Sequence, residues 1–331
     1  MDGLNSERRA RRTFHDTGLS DQGDLLAELA SAFQRGLPSD EQPTTMPDVW
    51  VRASVLVRVN SLSSASSGVR AILVTTMMDL LKHDILPRIP LRGSISASGD
   101  LSPLSYIAGT LLGKRTLTVS VGPKATGERR FMTAEKALAD ASISPIRLGP
   151  KEGLAIVNGT AVSTAVGALA LHDAHALAVL SQVLTAMSVE ALCGTRESFD
   201  PFFARVRPHP GQRDASHNID RFLAGSQLIQ NPDGTEEGSL RQDRYSIRTA
   251  SQWIGPVLED LILAHQQVTI ECNSITDNPL INGGRILHGG NIQARSITSA
   301  MEKTRIGLES MGRMLFAQCS EIIDPSKRVR R

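Results

Sequence analysis

Residues 161–192 read AVSTAVGALALHDAHALAVLSQVLTAMSVEAL, with alanine and leucine throughout, one glycine and no proline. Such a composition favours helix, and at 1.5 Å per residue it makes a rod of roughly 45–50 Å. Its apolar residues lie nearly all round the helix, which places it at the centre of a bundle and not on a surface. His172, Asp173, His175 and Glu190 interrupt the run, and charge at bilayer depth is costly, so it does not read as a membrane span. Two further helical patterns follow, Ser251–Asn273 and Gln293–Ile323. Three long rods with little strand signal predict a mainly α-helical bundle.

Upstream of Pro150 the pattern is mixed. Apolar residues recur at helical spacing over Val49–Asn60 and Ser66–Leu81, and Pro87 and Pro90 end that pattern. Leu117–Val121 and Arg129–Met132, joined through Gly122-Pro123, form a candidate hairpin. Residues 195–240 read as irregular and polar. Residues 1–45 read as a disordered segment, with a short helix expected at 22–35. The expected organisation is therefore three parts: 1–45, a loop-bearing region at 46–150, and a helical domain at 151–331. A chain of 331 residues exceeds the ~250–300 at which single cores stop growing, which agrees with more than one region.

Composition excludes several classes. A net charge of +2 gives no attraction to nucleic acid or anionic lipid. Cys193, Cys272 and Cys319 are few and widely spaced, which fits reduced thiols and neither a disulfide framework nor a zinc site. The first residues hold no apolar signal region, and the reading is cytoplasmic. Walker loops, dinucleotide fingerprints and serine nucleophile elbows do not occur. His172 and His175 have metal-compatible spacing, but hydrogen bonding on a helix surface is the favoured reading. The basic end, Lys327–Arg331, reads as a frayed terminus.

Four segments carry chemistry. In the run Ser94–Gly109, Ala97-Ser98-Gly99 leaves the backbone bare, and Gly99 can take angles closed to other residues. If the Gly99 nitrogen attacks the Ala97 carbonyl carbon, the oxygen of that carbon leaves as one water and Ser98 loses its hydroxyl as a second, the product is a methylidene-imidazolone electrophile. Taken alone, the tripeptide reads as a surface turn. Asn158, within Leu154–Ala161, stands where an Asn caps a following helix. Leu240–Thr249 concentrates charge and donors and reads either as a solvated loop or as a clamp. In the clamp reading, Arg248 offers a carboxylate two parallel N–H bonds, which a lysine cannot do. Thr276–Leu280 and His288–Gln293 read as tight turns that bring backbone close to a pocket.

Together these segments resemble the aromatic amino acid ammonia-lyases, from about Val51 to Ile323. The wording Ser-Ala-Ser-Gly-Asp-Leu-Ser-Pro-Leu-Ser-Tyr-Ile-Ala-Gly is similar to that of fungal phenylalanine-specific members. The resemblance implies a long-helix bundle of the fumarase/aspartase-like type, with a smaller mixed region carrying the prosthetic-group loop. It implies a 4-methylidene-imidazol-5-one formed from Ala97, Ser98 and Gly99, with no metal or nucleotide. It implies elimination of ammonia from L-phenylalanine to give trans-cinnamate, feeding phenylpropanoid-type secondary metabolism. The assembly implied is a homotetramer with sites shared between subunits.

Roles carry over onto matching positions. Asn158 meets substrate and prosthetic group, Gln242 and Tyr245 orient the substrate, and Arg248 binds its carboxylate. Asn278 and Asn291 belong to the matched third block. Ile292 stands where many relatives carry Phe. The resemblance also implies a lid tyrosine and further helices that this sequence does not match. Its two tyrosines, Tyr106 and Tyr245, fall in other segments. The expectation is a chain truncated at both ends and catalytically impaired. The alternatives are a pseudoenzyme or helper subunit of a full-length relative, and a tyrosine ammonia-lyase or aminomutase.

Overall fold

The computed structural model describes residues 44–122, 129–230 and 242–324. The helix expected at 22–35, nearly all of the 1–45 segment, Pro123, Leu240, Arg241 and the Lys327–Arg331 end lie outside the described residues. In chain order the elements are α1 (Asp48–Ser63), α2 (Ala71–Lys82), β1 (Ile85–Pro87), α3 (Leu101–Leu111), β2 (Thr118–Val121) and β3 (Arg130–Thr133). There follow α4 (Ala134–Asp140), α5 (Glu152–Val157), α6 (Ala161–Ala191), α7 (Pro201–Val206) and α8 (Pro210–Phe222). The last are α9 (Tyr245–Arg248), α10 (Ala250–Cys272), β4 (Leu280–Asn282), β5 (Arg285–Leu287) and α11 (Arg295–Ile323). The mainly helical architecture expected from the three rods is present as α6, α10 and α11.

The described residues form two units, those up to Val166 with Glu271–Arg295, and those of 167–270 with those from Ser296 onward. The division falls inside the rods and downstream of the composition break at Pro150.

The first unit is built on α1, α2 and α3. Val51, Val55, Leu73, Met77, Leu104, Ile107 and Leu111 are fully buried there, at the spacings that put them on one helix face. The expected hairpin is β2–β3, with Val119 opposite Met132. A third strand that composition did not signal, β1, pairs antiparallel with β2 and completes the order β1-β2-β3. Pro87 closes β1 at the sheet edge, where a missing N–H costs no ladder bond. Glu152 opens α5 and is almost wholly buried. It accepts from the Arg70 Nε (2.9 Å), Arg70 amide (3.0 Å) and Gly149 amide (2.6 Å). The Arg70 hydrogen bond, ahead of the two backbone donors, holds the Glu152 carboxyl down at about 2.

The second unit corrects two expectations. Residues 195–240 are not irregular throughout: they hold a 3₁₀ turn (Glu197–Phe199), α7 and α8. Asp200 caps α7 by accepting from the Phe202 amide at 2.7 Å, and Pro201 stands in its first turn. α8 escapes a composition reading because only a narrow stripe, including Ala215, Ser216 and Ile219, faces inward. The second correction concerns α6. Leu171, Ala174, Ala178, Thr185 and Val189 are buried along one flank. Leu177, Val179, Leu180 and Met187 lie exposed on the other, so the helix is covered on one side and not all round. By length and composition residues 152–191 could cross a membrane; most of their apolar window is instead buried in the protein, as in a core helix. Among the described residues the three cysteines form no disulfide.

Candidate active site

The loop ahead of α3 is a compressed turn. The Asp100 amide donates to the Ala97 carbonyl at 3.3 Å, and the Leu101 amide to the Gly99 carbonyl at 3.1 Å. Gly99 has φ +80°, a region closed to residues with a Cβ, and open space surrounds the position a Cβ would take. Ser94 ties the turn together: its Oγ accepts from the Ser96 amide at 3.0 Å and donates to the buried Asp100 carboxylate. Ser98 is half-buried, and its Oγ accepts from the Ala294 amide at 2.5 Å. These residues fit a ring closed across positions 97–99. The backbone is already reversed there, no side chain obstructs Gly99, and a donor is aimed at the Ser98 oxygen. The sequence reading missed Asp100 and Ala294 as supports of this turn.

Asn158, Asn278 and Asn291 lie in the same unit. Asn158 follows the last residue of α5, and α6 begins only at Ala161. Instead of capping α6, its Nδ2 donates to the Asn278 carbonyl at 3.1 Å. The Asn278 Oδ1 accepts from the Gly289 amide at 2.7 Å, and the Asn291 Nδ2 donates to the Ile275 carbonyl at 3.2 Å. The segment from Ile275 to Ala294, including the β4–β5 ribbon, is thus cross-tied at its root and ends on Ser98. Ile292 is half-buried within it.

Gln242, Tyr245 and Arg248 belong to the second unit, on and just before α9. The Arg248 guanidinium donates to the Gln242 Oε1 at 2.6 Å and lies 6.0 Å from the Tyr245 ring centre, in cation–π range. Its Nε is buried without a partner among the described residues, a donor left over for an acceptor. Asp243 accepts from the Thr195 amide at 2.9 Å, and burial pushes its carboxyl up. Two residues with no signal in the sequence reading hold α9 from α11. Gln318, fully buried, donates to the Ser246 carbonyl at 3.0 Å, and Glu321 accepts from the Ser246 hydroxyl at 2.6 Å.

Among the described residues His172 and His175 do not form the expected surface hydrogen bonds. The His175 Nε2 is buried with no partner among them, its ring stands edge-on to His265 at 5.5 Å, and burial lowers its pKa. Among the described residues no cluster of three or more His, Cys, Asp or Glu could hold a metal.

Comparison with known proteins places the chain among aromatic amino acid lyases and their relatives. Residues 10–330 match the family described as aromatic amino acid lyase. A phenylalanine ammonia-lyase from Pleurotus ostreatus is 51% identical over 310 residues, covering 88% of this chain and 42% of the relative. A phenylalanine aminomutase from Talaromyces islandicus is 48% identical over 312 residues, covering 91% of this chain and 44% of the relative. The crystal structure of phenylalanine ammonia-lyase from Rhodosporidium toruloides superposes with a TM-score of 0.80 at 43% identity, over 88% of this chain and 43% of that one. The chain thus spans less than half the length of these relatives.

Proposed function

Because the chain belongs to the aromatic amino acid lyase family, we propose that it is an ammonia-lyase acting on L-phenylalanine. The carbon–nitrogen bond breaks, a β-proton is removed, and trans-cinnamate and ammonia leave. The observation that carries this reading is the reversed, unobstructed Ala97-Ser98-Gly99 turn with the Ala294 amide on Ser98, in a chain 51% identical to a named phenylalanine ammonia-lyase. When closed, the methylidene-imidazolone ring supplies an electrophile that draws electron density from the substrate. Arg248 binds the carboxylate through its unused Nε and its charge, held by Gln242 on one side and stacked by Tyr245 on the other. Asn158, Asn278 and Asn291 supply amide groups from the ring-bearing unit. Association into a homotetramer is part of the same proposal, supported by the apolar side chains left exposed on α6 and α11, Leu180, Met187 and Phe316 among them.

A second reading, an aminomutase on the same scaffold, is favoured by the 48% identity to the Talaromyces enzyme. A third, a helper subunit of a full-length relative, is favoured by the tyrosines: Tyr106 is half-buried against the core and Tyr245 serves α9. Peptide mass spectrometry is expected to find the segment spanning Ser98 lighter by two waters, and Ser98→Ala to abolish both that loss and cinnamate formation. An unmodified Ser98 peptide from folded protein overturns the ammonia-lyase reading. β-Phenylalanine as the main product selects the aminomutase. Turnover that appears only on mixing with a full-length relative selects the helper subunit.

A further inference from the structure

Beneath the Asn158–Asn278 contact lies a cluster of charge to which the site residues above assign no role. Arg58 projects from α1 and is fully buried, as is Asp277. The Arg58 guanidinium donates to the Ala155 carbonyl at the end of α5 and to the Thr276 carbonyl at 3.4 Å, and stands 4.0 Å from Asp277. Asp277 accepts from the Lys151 ammonium at 2.5 Å and from the Asn278 amide at 2.7 Å. Lys151 also donates to the Ser67 carbonyl at 2.7 Å. Gly159, next to Asn158, has φ +154° and is pressed so closely by Arg58 and the Thr276 carbonyl that a Cβ there would strike both.

Three features set this cluster apart from an ordinary buried pair. The Arg58 Nε has no partner among the described residues, and burial lowers the guanidinium pKa to about 10 against the pull of Asp277. Lys151 is held at φ +66°, a conformation costly for a residue with a Cβ and kept only where surroundings over-determine it. Buried ion pairs also contribute little net stability against apolar residues of similar volume. A cluster this expensive is poorly explained by stability alone, and its position indicates what it orders. Arg58 bridges the segment bearing Asn158 to the segment bearing Asn278. The Asn278 segment is the root of the chain that returns through Gly289 and Asn291 to place the Ala294 amide on Ser98.

We propose that Arg58, Asp277 and Lys151 are positioning residues for the ring-forming turn. They fix the root of the 275–294 segment, and through it the donor that meets Ser98. The inference rests on the ammonia-lyase reading for what the turn makes, but not for what holds it.

The test compares Asp277→Asn and Lys151→Met with Asp84→Asn, which breaks the ion pairs of Asp84 with Arg129 (2.6 Å) and Arg52 (3.1 Å) in the same unit, neither of them bonded to the cluster or to the 275–294 segment. Three quantities are measured on each full chain: the ring-closed fraction by peptide mass, hydrogen exchange over residues 286–295, and the melting temperature. Displacing a reacting group slows closure steeply, so Asp277→Asn is expected to lower the ring-closed fraction ~10-fold or more. Both cluster variants are expected to speed exchange over 286–295. Asp84→Asn is expected to lower the melting temperature while leaving ring closure and exchange at wild-type values. Where Asp277→Asn fails to fold, Lys151→Met, whose side chain is partly exposed, carries the comparison. Unchanged closure and exchange in a folded cluster variant overturns the proposal, as does an equal effect from Asp84→Asn. If the wild-type chain holds no ring, the ammonia-lyase reading fails, and exchange over 286–295 alone decides the positioning role.

Discussion

Among the described residues the two units differ in what they bury: charged side chains in the first, only uncharged polar ones beside the apolar core in the second, while both leave large apolar side chains exposed. In the first, α1, α2 and α3 close over one apolar core, and charged groups are drawn inside where loops must be fixed: Arg58 and Asp277 under the Asn278 segment, Glu152 under the start of α5. In the second, the rods bury one flank each and leave large apolar side chains outside, Leu180 and Met187 on α6, Ile262 and Ile270 on α10, Ile306 and Phe316 on α11. The first unit is organised to hold irregular backbone in place. The second presents long helices, one of them with Pro256 inside it, that leave part of their apolar surface open. A turn that must bend sharply needs buried polar anchors, whereas a helix satisfies its own backbone and can leave a flank for something else.

This contrast makes a sharp prediction. Leu104→Ala, at a fully buried site in the first unit, is expected to cost ~2–5 kcal/mol in chemical unfolding. Leu180→Ala, on the open flank of α6, is expected to change stability by less than ~0.5 kcal/mol while reducing self-association in size-exclusion chromatography. Equal costs at the two sites would break the comparison.

The next effect is at the clamp in the second unit. Arg248→Lys keeps the charge but loses the planar fork, and calorimetric titration with cinnamate should show binding weakened by ~1.5–3 kcal/mol. Unchanged affinity would remove Arg248 from the carboxylate and leave the second unit without an assigned contact.

The smallest effect concerns acid. Glu152 has a folded-state pKa of about 2, against an ordinary 4.5, because Arg70 and two amides bind its charged form. Its contribution to stability is therefore complete above pH ~4.5 and is lost as pH falls toward 2. Arg70 is largely exposed, so solvent screens the pair and the loss is modest. Melting curves across that window should slope less for Glu152→Gln than for wild type. Parallel slopes would show that the buried carboxylate is not a source of acid sensitivity in the first unit.

The long rods and the chemistry of the loop were legible in the sequence. Residues 161–191 could be little other than helix, whereas Ala97-Ser98-Gly99 alone reads as a turn and takes its chemistry only from the resemblance of the whole Ser94–Gly109 run and the other matched segments. The β2–β3 hairpin was legible too, from alternation around a Gly-Pro turn. α8 was not, because its composition is mostly polar and charged, and the narrow buried stripe that includes Ala215 and Ile219 is outweighed in a reading by composition. Arg58 did leave a trace: it falls on the buried face of α1 with Val51, Val55 and Leu62, a charge where the helical period calls for an apolar residue.

Local sequence thus determined the long helices and the bare Ala97-Ser98-Gly99 tripeptide, since both follow from residue type and near-neighbour spacing. Only the tertiary structure decided what meets across the chain. Asn158 turned from a helix cap into a donor to Asn278, 120 residues away. The Ala294 amide came to Ser98 across 196 residues, and Arg58 to Thr276 across 218. Such contacts depend on how helices and loops pack, and no pattern within a window of sequence encodes which distant group will satisfy a buried donor or acceptor.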